Sequence, residues 1–246
     1  HLLALLPFEP QFFSQFKVDC TFVGHPIIES GVQCGDGVAF RMRHGIEPNS
    51  PIVVAMPGSR STEVRRLLPI FGKALEALQA SYPYLTVVVP TMESTEEIVS
   101  NMTKSWRVRT IVMSDQNEKS DVFAASDVAI TKSGTSTLEL ALASVPMVVA
   151  YKVSAFTALM ARRLLTVKNV AIVNLLADRK IVPECLQEDC NPQKLFDELA
   201  ILIGNEAARR QQLMDLSEAV TALGAGGSSP SERAARVILK FIEMPG

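Results

Sequence analysis

From residue 51 to about residue 173, short runs of β-branched and other apolar residues alternate with longer stretches of helical pattern. Such runs stand at 52–56, 85–90, 107–113, 128–131, 147–151 and 170–173. This alternation leaves few folds open. Parallel neighbours cannot be joined by tight hairpins and need crossover segments, and strands written as unbroken apolar runs are covered on both faces. The expected fold class is therefore α/β, a Rossmann-like parallel sheet with helices on both faces. With 246 residues, 48% of them hydrophobic, the chain has material for a substantial core.

The flanking stretches read differently. Residues 1–28 are apolar and aromatic, with Phe8, Phe12, Phe13, Phe16 and Phe22 close together. The chain starts at His1 and runs straight into Leu2, Leu3, Ala4, Leu5 and Leu6, which looks like a strand or buried segment already under way, so a piece is expected upstream. Residues 29–50 mix Gly31, Gly35, Gly37, Gly45 and Pro48 with charges and read as a linker. After Pro183 the pattern is helical throughout, at 192–204, 206–223 and 231–244, with 224–230 as a flexible turn. The terminal helix carries Ala234, Ala235, Ile238, Leu239 and Ile242 near helical spacing and needs an apolar surface to lie on.

Composition removes several classes of function. A net charge of -2 and a pI near 6.0 argue against a general nucleic-acid binder. Cys20, Cys34, Cys185 and Cys190 form no Cys-x-x-Cys pair and are joined by only three histidines, so neither a zinc site nor a disulfide scaffold is indicated and a reducing cytoplasm is expected. No apolar run approaches the roughly 20 residues of a membrane-spanning helix.

Two strand-turn-helix passages carry the chemistry. In the first, Ile52 to Met56 is followed by Pro57, Gly58, Ser59, Arg60, Ser61, Thr62 and Glu63. Pro57 and Gly58 break the strand, Ser59, Ser61 or Thr62 can cap the following helix, and Arg60 adds a guanidinium whose fork grips two phosphate oxygens. In the second, the strand from Asp127 leads into Lys132, Ser133, Gly134, Thr135, Ser136, Thr137, Leu138 and Glu139. Open parallel sheets bind ligands beyond the carboxyl ends of their strands, so both turns are expected to face one crevice, their donors suited to a diphosphate. Thr135 and Glu139 share a helix face, which sets a carboxylate beside the loop where it suits a ribose diol. Helix capping accounts for the same hydroxyls, and dipole complementation for the same carboxylate.

Taken in order, these residues resemble the lipid-A-disaccharide synthase family. The resemblance rests on Pro57-Gly58-Ser59-Arg60-x-x-Glu63, on Ser133-Gly134-Thr135-x-x-Leu138-Glu139 and on Pro146 to Lys152. It continues in Pro7 to Pro10, Thr21 to Pro26, Asn174-Leu175-Leu176 and Val182-Pro183-Glu184-x-x-Gln187, and so covers nearly the whole chain. It implies a two-lobed glycosyltransferase of GT-B type, with the second lobe nearly complete and the first only a stub. Residues 1–28 would be the remnant of the acceptor lobe, 29–50 the linker, 51–223 the UDP-sugar donor lobe, and 224–246 a turn and helix packing back toward the first lobe. The implied reaction is inverting transfer of 2,3-diacylglucosamine from UDP to 2,3-diacylglucosamine 1-phosphate, in the cytoplasm at the periphery of the inner membrane, with no cofactor and no metal. By the same resemblance Gly58, Ser59 and Arg60 meet the diphosphate, Ser133, Gly134, Thr135 and Ser136 border it, Glu139 holds the ribose, and Asn174, Glu184 and Gln187 line the remainder of the donor site. Arg60 and Asn174 are the implied catalytic residues.

The chain departs from the family pattern where Ile172-Val173-Asn174 stands in place of Leu-Pro-Asn. The family's acidic general base has no counterpart after His1, and Glu9 fits a turn role beside Pro7 and Pro10. A stretch with apolar Phe156, Leu159, Met160 and Val167 and basic Lys152, Arg162, Arg163 and Lys168 has the composition of a surface that docks on anionic lipid, and also that of an ordinary half-buried helix. Two other readings keep the same motifs: another GT-B enzyme acting on UDP-N-acetylglucosamine, either a cell-wall precursor transferase or an epimerase, and a nucleotide-binding relative without catalysis.

Overall fold

A computed structural model describes residues 1–153 and 169–243. At the start, β1 (Leu2–Ala4) and β2 (Cys20–Phe22) pair in parallel around α1 (Glu9–Ser14), forming a small sheet of their own. The strand expected at the beginning is thus present. Phe8, Phe12 and Phe16 nevertheless face outward, so this apolar segment is only partly covered.

Residues 29–50, expected as a linker, are firmly packed. They hold α2 (Gly37–Arg43), whose Phe40 is completely buried. Two of the glycines here serve close approach: a Cβ on Gly35 would collide with the backbone of Ser120, and one on Gly37 with that of Ala124. Arg41 donates to the carbonyls of Glu47, Ser50 and Ala125 and pairs with Asp127 at 3.3 Å, which clamps the stretch beneath the main sheet.

The main sheet has six strands, all parallel: β3 (Ile52–Met56), β4 (Thr86–Pro90), β5 (Arg109–Met113), β6 (Val128–Lys132), β7 (Met147–Tyr151) and β8 (Glu184–Leu186), in the order β5-β4-β3-β6-β7-β8. Side chains alternate between two cores. Ile52, Val54, Val88, Ala129, Met147 and Val149 point to one face, and Val53, Ala55, Val87, Val89, Val128, Ile130, Val148 and Ala150 to the other. The second face is covered by α3 (Ser61–Ser81), α4 (Glu93–Thr103) and the helix Pro192–Gly204. The first is covered by α5 (Lys119–Ala125), α6 (Ser136–Leu142), α7 (Ile172–Ala177) and the helix Glu206–Ala222. The Gln212 side chain fixes that last helix on the sheet, accepting from the Met147 amide at 2.7 Å and donating to its carbonyl at 3.2 Å. Chain direction across the sheet reverses between β3 and β6, and a crevice opens beyond their carboxyl ends.

The sequence reading erred on the sixth strand. Residues 170–173, expected as a strand, lead into α7, because the amides of Val170 and Ala171 turn toward the Glu184 carboxylate and start a helix whose buried face is Val173 and Asn174. The sixth strand is β8, in a stretch expected to be helical. It adds to the edge of β7, with Val149 donating to Pro183 and Gln187 to Tyr151, each at 2.9 Å. The closing helices Pro192–Gly204, Glu206–Ala222 and Pro230–Glu243 stand where helical periodicity placed them. The last packs against the start of the chain through Arg233 over the Phe22 ring and Ser231 Oγ on Glu29 at 2.6 Å. The stretch from Phe156 to Lys168 considered for lipid docking lies outside the described residues. Lys152 just before it directs its ammonium to the Cys190 carbonyl at 3.1 Å. No helix among the described residues is long and apolar enough to cross a membrane.

Candidate functional site: a crevice at two strand ends

β3 delivers Met56 to the crevice, and Pro57 to Arg60 turn the chain into α3. Gly58 sits at φ +116°, a backbone conformation that side chains rarely tolerate, and a Cβ there would also run into Glu63. The expected hydroxyl cap is replaced. Arg60 occupies the N-cap position, and the Glu63 carboxylate accepts its amide at 3.4 Å and its guanidinium at 3.0 Å, so that a carboxylate three residues into the helix satisfies the free N–H at its start.

On the neighbouring strand β6 ends at Lys132, whose ammonium reaches Glu63 at 3.2 Å. Burial pushes the Glu63 carboxyl up, but the hydrogen bonds and charges of Lys132 and Arg60 outweigh it and hold the group below the ordinary carboxylate range. The second turn is stitched internally: Thr131 Oγ1 and Ser136 Oγ lie 3.0 Å apart, and Thr137 Oγ1 donates to the Gly134 carbonyl at 2.7 Å. Glu139 faces the crevice from the first turn of α6 and receives the Lys119 ammonium on both carboxylate oxygens, at 2.7 Å each.

Together these groups enclose about 250 Å³. Gly58, Ser59, Gly134, Thr135, Ser136 and Glu139 line the cavity, as do Glu63, Lys119, Lys132 and Gln116. Arg60, expected at the diphosphate, is outside the lining, its side chain 75% exposed and its guanidinium held on Glu63 at 3.0 Å. The convergence of the two turns expected from strand order is thus observed.

The other expected residues gather elsewhere. Ser133 is buried and donates its hydroxyl to the Val170 carbonyl at 2.9 Å, away from the cavity. Asn174, expected to act in catalysis, is completely buried: Oδ1 accepts the amides of Ile181 and Val182 at 2.8 and 2.9 Å, and Nδ2 donates to the Val182 carbonyl and to Glu184 at 3.1 and 2.7 Å. A carboxamide so fully engaged has no atom to offer a reacting group and acts only through what it holds. Glu184 accepts the amides of Val170 and Ala171 as well, and Gln187 accepts from Val153 at 3.4 Å beside the end of β8. These residues make a brace under segment 170–171 and β8, adjacent to the crevice and outside its lining.

The crevice residues missed by sequence reasoning are Glu63, Lys119, Lys132 and Gln116. Glu63 and Lys132 lay inside the two quoted motifs and were read only as spacing. Lys119 and Gln116 come from a connection with no motif of its own, and nothing in the sequence ties Lys119 to Glu139 twenty positions later. Among the described residues, no three His, Cys, Asp or Glu side chains gather as metal ligands. The arrangement can hold an anion, since Lys119 and Lys132, the N-terminus of the 21-residue helix α3 and several hydroxyls face one small space.

Comparison with known proteins meets this geometry from the other side. The family model described as lipid-A-disaccharide synthetase matches residues 1–239. A lipid-A-disaccharide synthase from Rhodospirillum centenum is 46% identical over 98% of this chain and 60% of its own length, and one from Gluconobacter oxydans is 42% identical over 99% of this chain and 59% of its own. The chain therefore spans about 60% of the length of these relatives. Among solved structures, the S. aureus MnaA complex with UDP shares the fold at a TM-score of 0.68 and 16% identity, over 99% of this chain and 61% of that one. With the motifs of both turns, the sheet that presents them and a match running through 1–239 in agreement, the chain belongs to the lipid-A-disaccharide synthetase family.

Proposed function

We propose that this chain is the nucleotide-sugar-binding part of an inverting glycosyltransferase of lipid A biosynthesis, which moves 2,3-diacylglucosamine from UDP to 2,3-diacylglucosamine 1-phosphate and releases UDP. One observation carries the reading: the turns after β3 and β6 converge on a single crevice lined by hydroxyls, by Lys132 paired with Glu63 and by Lys119 paired with Glu139. Hydroxyls and cations at the two turns suit a diphosphate, and the Glu139 carboxylate suits a ribose. Gly58, Ser59, Gly134, Thr135 and Ser136 border the phosphates in this reading, and Glu139, held by Lys119, accepts the ribose hydroxyls. Negative charge grows on the diphosphate as the glycosidic bond breaks, so a guanidinium placed there stabilises the transition state more than the ground state. Arg60 takes that part, swinging inward from its exposed resting position on Glu63.

Asn174, Glu184 and Gln187 support the wall on the far side, and Ser133 ties the second turn to it through Val170. Glu9 accepts the amides of Leu5 and Leu6 on Oε2, at 2.9 and 2.8 Å, which fits the turn role. We place the general base, and with it the acceptor site, in the portion of the longer relatives that this chain does not span. Residues 1–28 then belong with that first lobe, 29–50 join it to the donor lobe of 51–223, and 224–246 pack back upon it. Acyl substrates require work at a membrane surface, on its cytoplasmic side in this reading, and nucleic acid has no part in it.

The test is a thermal-shift titration of the chain with UDP. UDP should raise the melting temperature in a saturable way, and Arg60→Ala should weaken the effect, by roughly tenfold in apparent affinity if one charged hydrogen bond is lost. Absence of any shift with the unaltered chain would overturn the reading.

A further inference from the structure

Two cations in the crevice are held in different ways. Lys119 is chelated by Glu139, both carboxylate oxygens at 2.7 Å, and is fixed. Among the described residues, Lys132 pairs with Glu63 Oε1 at 3.2 Å and shares that oxygen with Arg60, which donates to it at 3.0 Å. One carboxylate oxygen thus serves two cations, and the positive charge not satisfied by protein is concentrated where the two turns meet. Lys132 is placed to span that meeting point. It leaves the end of β6, and its ammonium passes over Gly134, 3.7 Å from where a Cβ would stand, to reach the helix that begins behind Gly58. Its side chain is only 22% exposed, and both it and Glu63 line the cavity.

We propose that Lys132 is a diphosphate-binding residue and that Glu63 is its resting counter-charge, so that the ammonium transfers from the carboxylate to a phosphate oxygen when nucleotide binds. The proposal rests on the nucleotide reading above and adds to it a residue and an exchange. A diphosphate carries more charge than one carboxylate and accepts short, charge-assisted hydrogen bonds from several donors at once, which favours the transfer. The exchange needs no large motion, since Lys132 already lies between Gly58 and Gly134. Glu63 keeps the Arg60 amide and so still starts α3 after the cation has left.

Calorimetric titration of the chain with UDP and with uridine tests this. Lys132→Gln should weaken UDP by roughly tenfold to a hundredfold and leave uridine within about twofold, because only the phosphates lose a partner. Lys132→Arg, which keeps the charge, should restore most of the UDP affinity. Glu63→Gln keeps an acceptor for the Arg60 amide and removes the competing charge, so it should tighten UDP by roughly threefold to tenfold. UDP binding to Lys132→Gln at the unaltered affinity, an equal loss of UDP and uridine, or a Glu63→Gln chain that binds UDP no better would each overturn the proposal. If Lys132→Gln does not fold, Glu63→Gln decides alone. If the unaltered chain ignores UDP, the nucleotide reading is what has failed. Inorganic pyrophosphate then replaces UDP on the same variants: the same order of affinities supports Lys132 as a phosphate ligand, and equal affinities overturn it.

Discussion

Asn174 illustrates how a residue can matter to a site it never touches. Its carboxamide satisfies two amides and a carbonyl of residues 181–182 and orients Glu184, which in turn starts α7. Removing it strands several buried polar groups, each costing about 1–3 kcal/mol. Asn174→Ala should therefore destabilise the fold by roughly 3–4 kcal/mol in all, read as a lower urea midpoint with an unchanged slope. At this scale the sequence was legible where a turn requires a special backbone, as at Gly58, or sets a residue at a fixed offset, as at Glu139. It was not legible for Lys119, because that contact joins the first residue of α5 to a side chain of α6, and no local pattern encodes a pairing across elements.

Among elements, the strands β3, β4, β6 and β7 could be read because each rests on an apolar run that separates from helical periodicity, and β5 because Ile111, Val112 and Met113 close it. The short elements failed together. Residues 170–173 are β-branched enough to pass for a strand, while β8 has three residues and follows a proline, so only the sheet edge left open by β7 decides between them. The long helix α3 carries Pro69 in its interior, on the exposed face. Proline there removes one backbone hydrogen bond and crowds the preceding turn, so Pro69→Ala should stabilise the protein by about 1–3 kcal/mol, seen as a higher melting temperature. A lower melting temperature would mean that α3 depends on a bend at that point.

Across the whole molecule, the apolar surface is concentrated at the two chain ends. Phe12 and Phe16 are 55% and 61% exposed on and just after α1, a helix with no buried residue, and Ile238, Leu239, Phe241 and Ile242 are exposed on the last helix. Surface of this kind drives self-association. Phe12→Ser with Phe16→Ser should reduce the large species seen by sedimentation velocity while leaving the melting temperature within about 2–3 °C, since nothing in the core is altered. The pairing of cations with carboxylates in the crevice has a consequence at this scale as well. Lys119 and Lys132 already face Glu139 and Glu63, and sharing Glu63 with Arg60 leaves one cation in excess within a molecule whose formal net charge is -2, so an approaching nucleotide meets little long-range attraction. Arrival is then governed by unsteered diffusion, and added salt changes how long the nucleotide stays far more than how often it arrives.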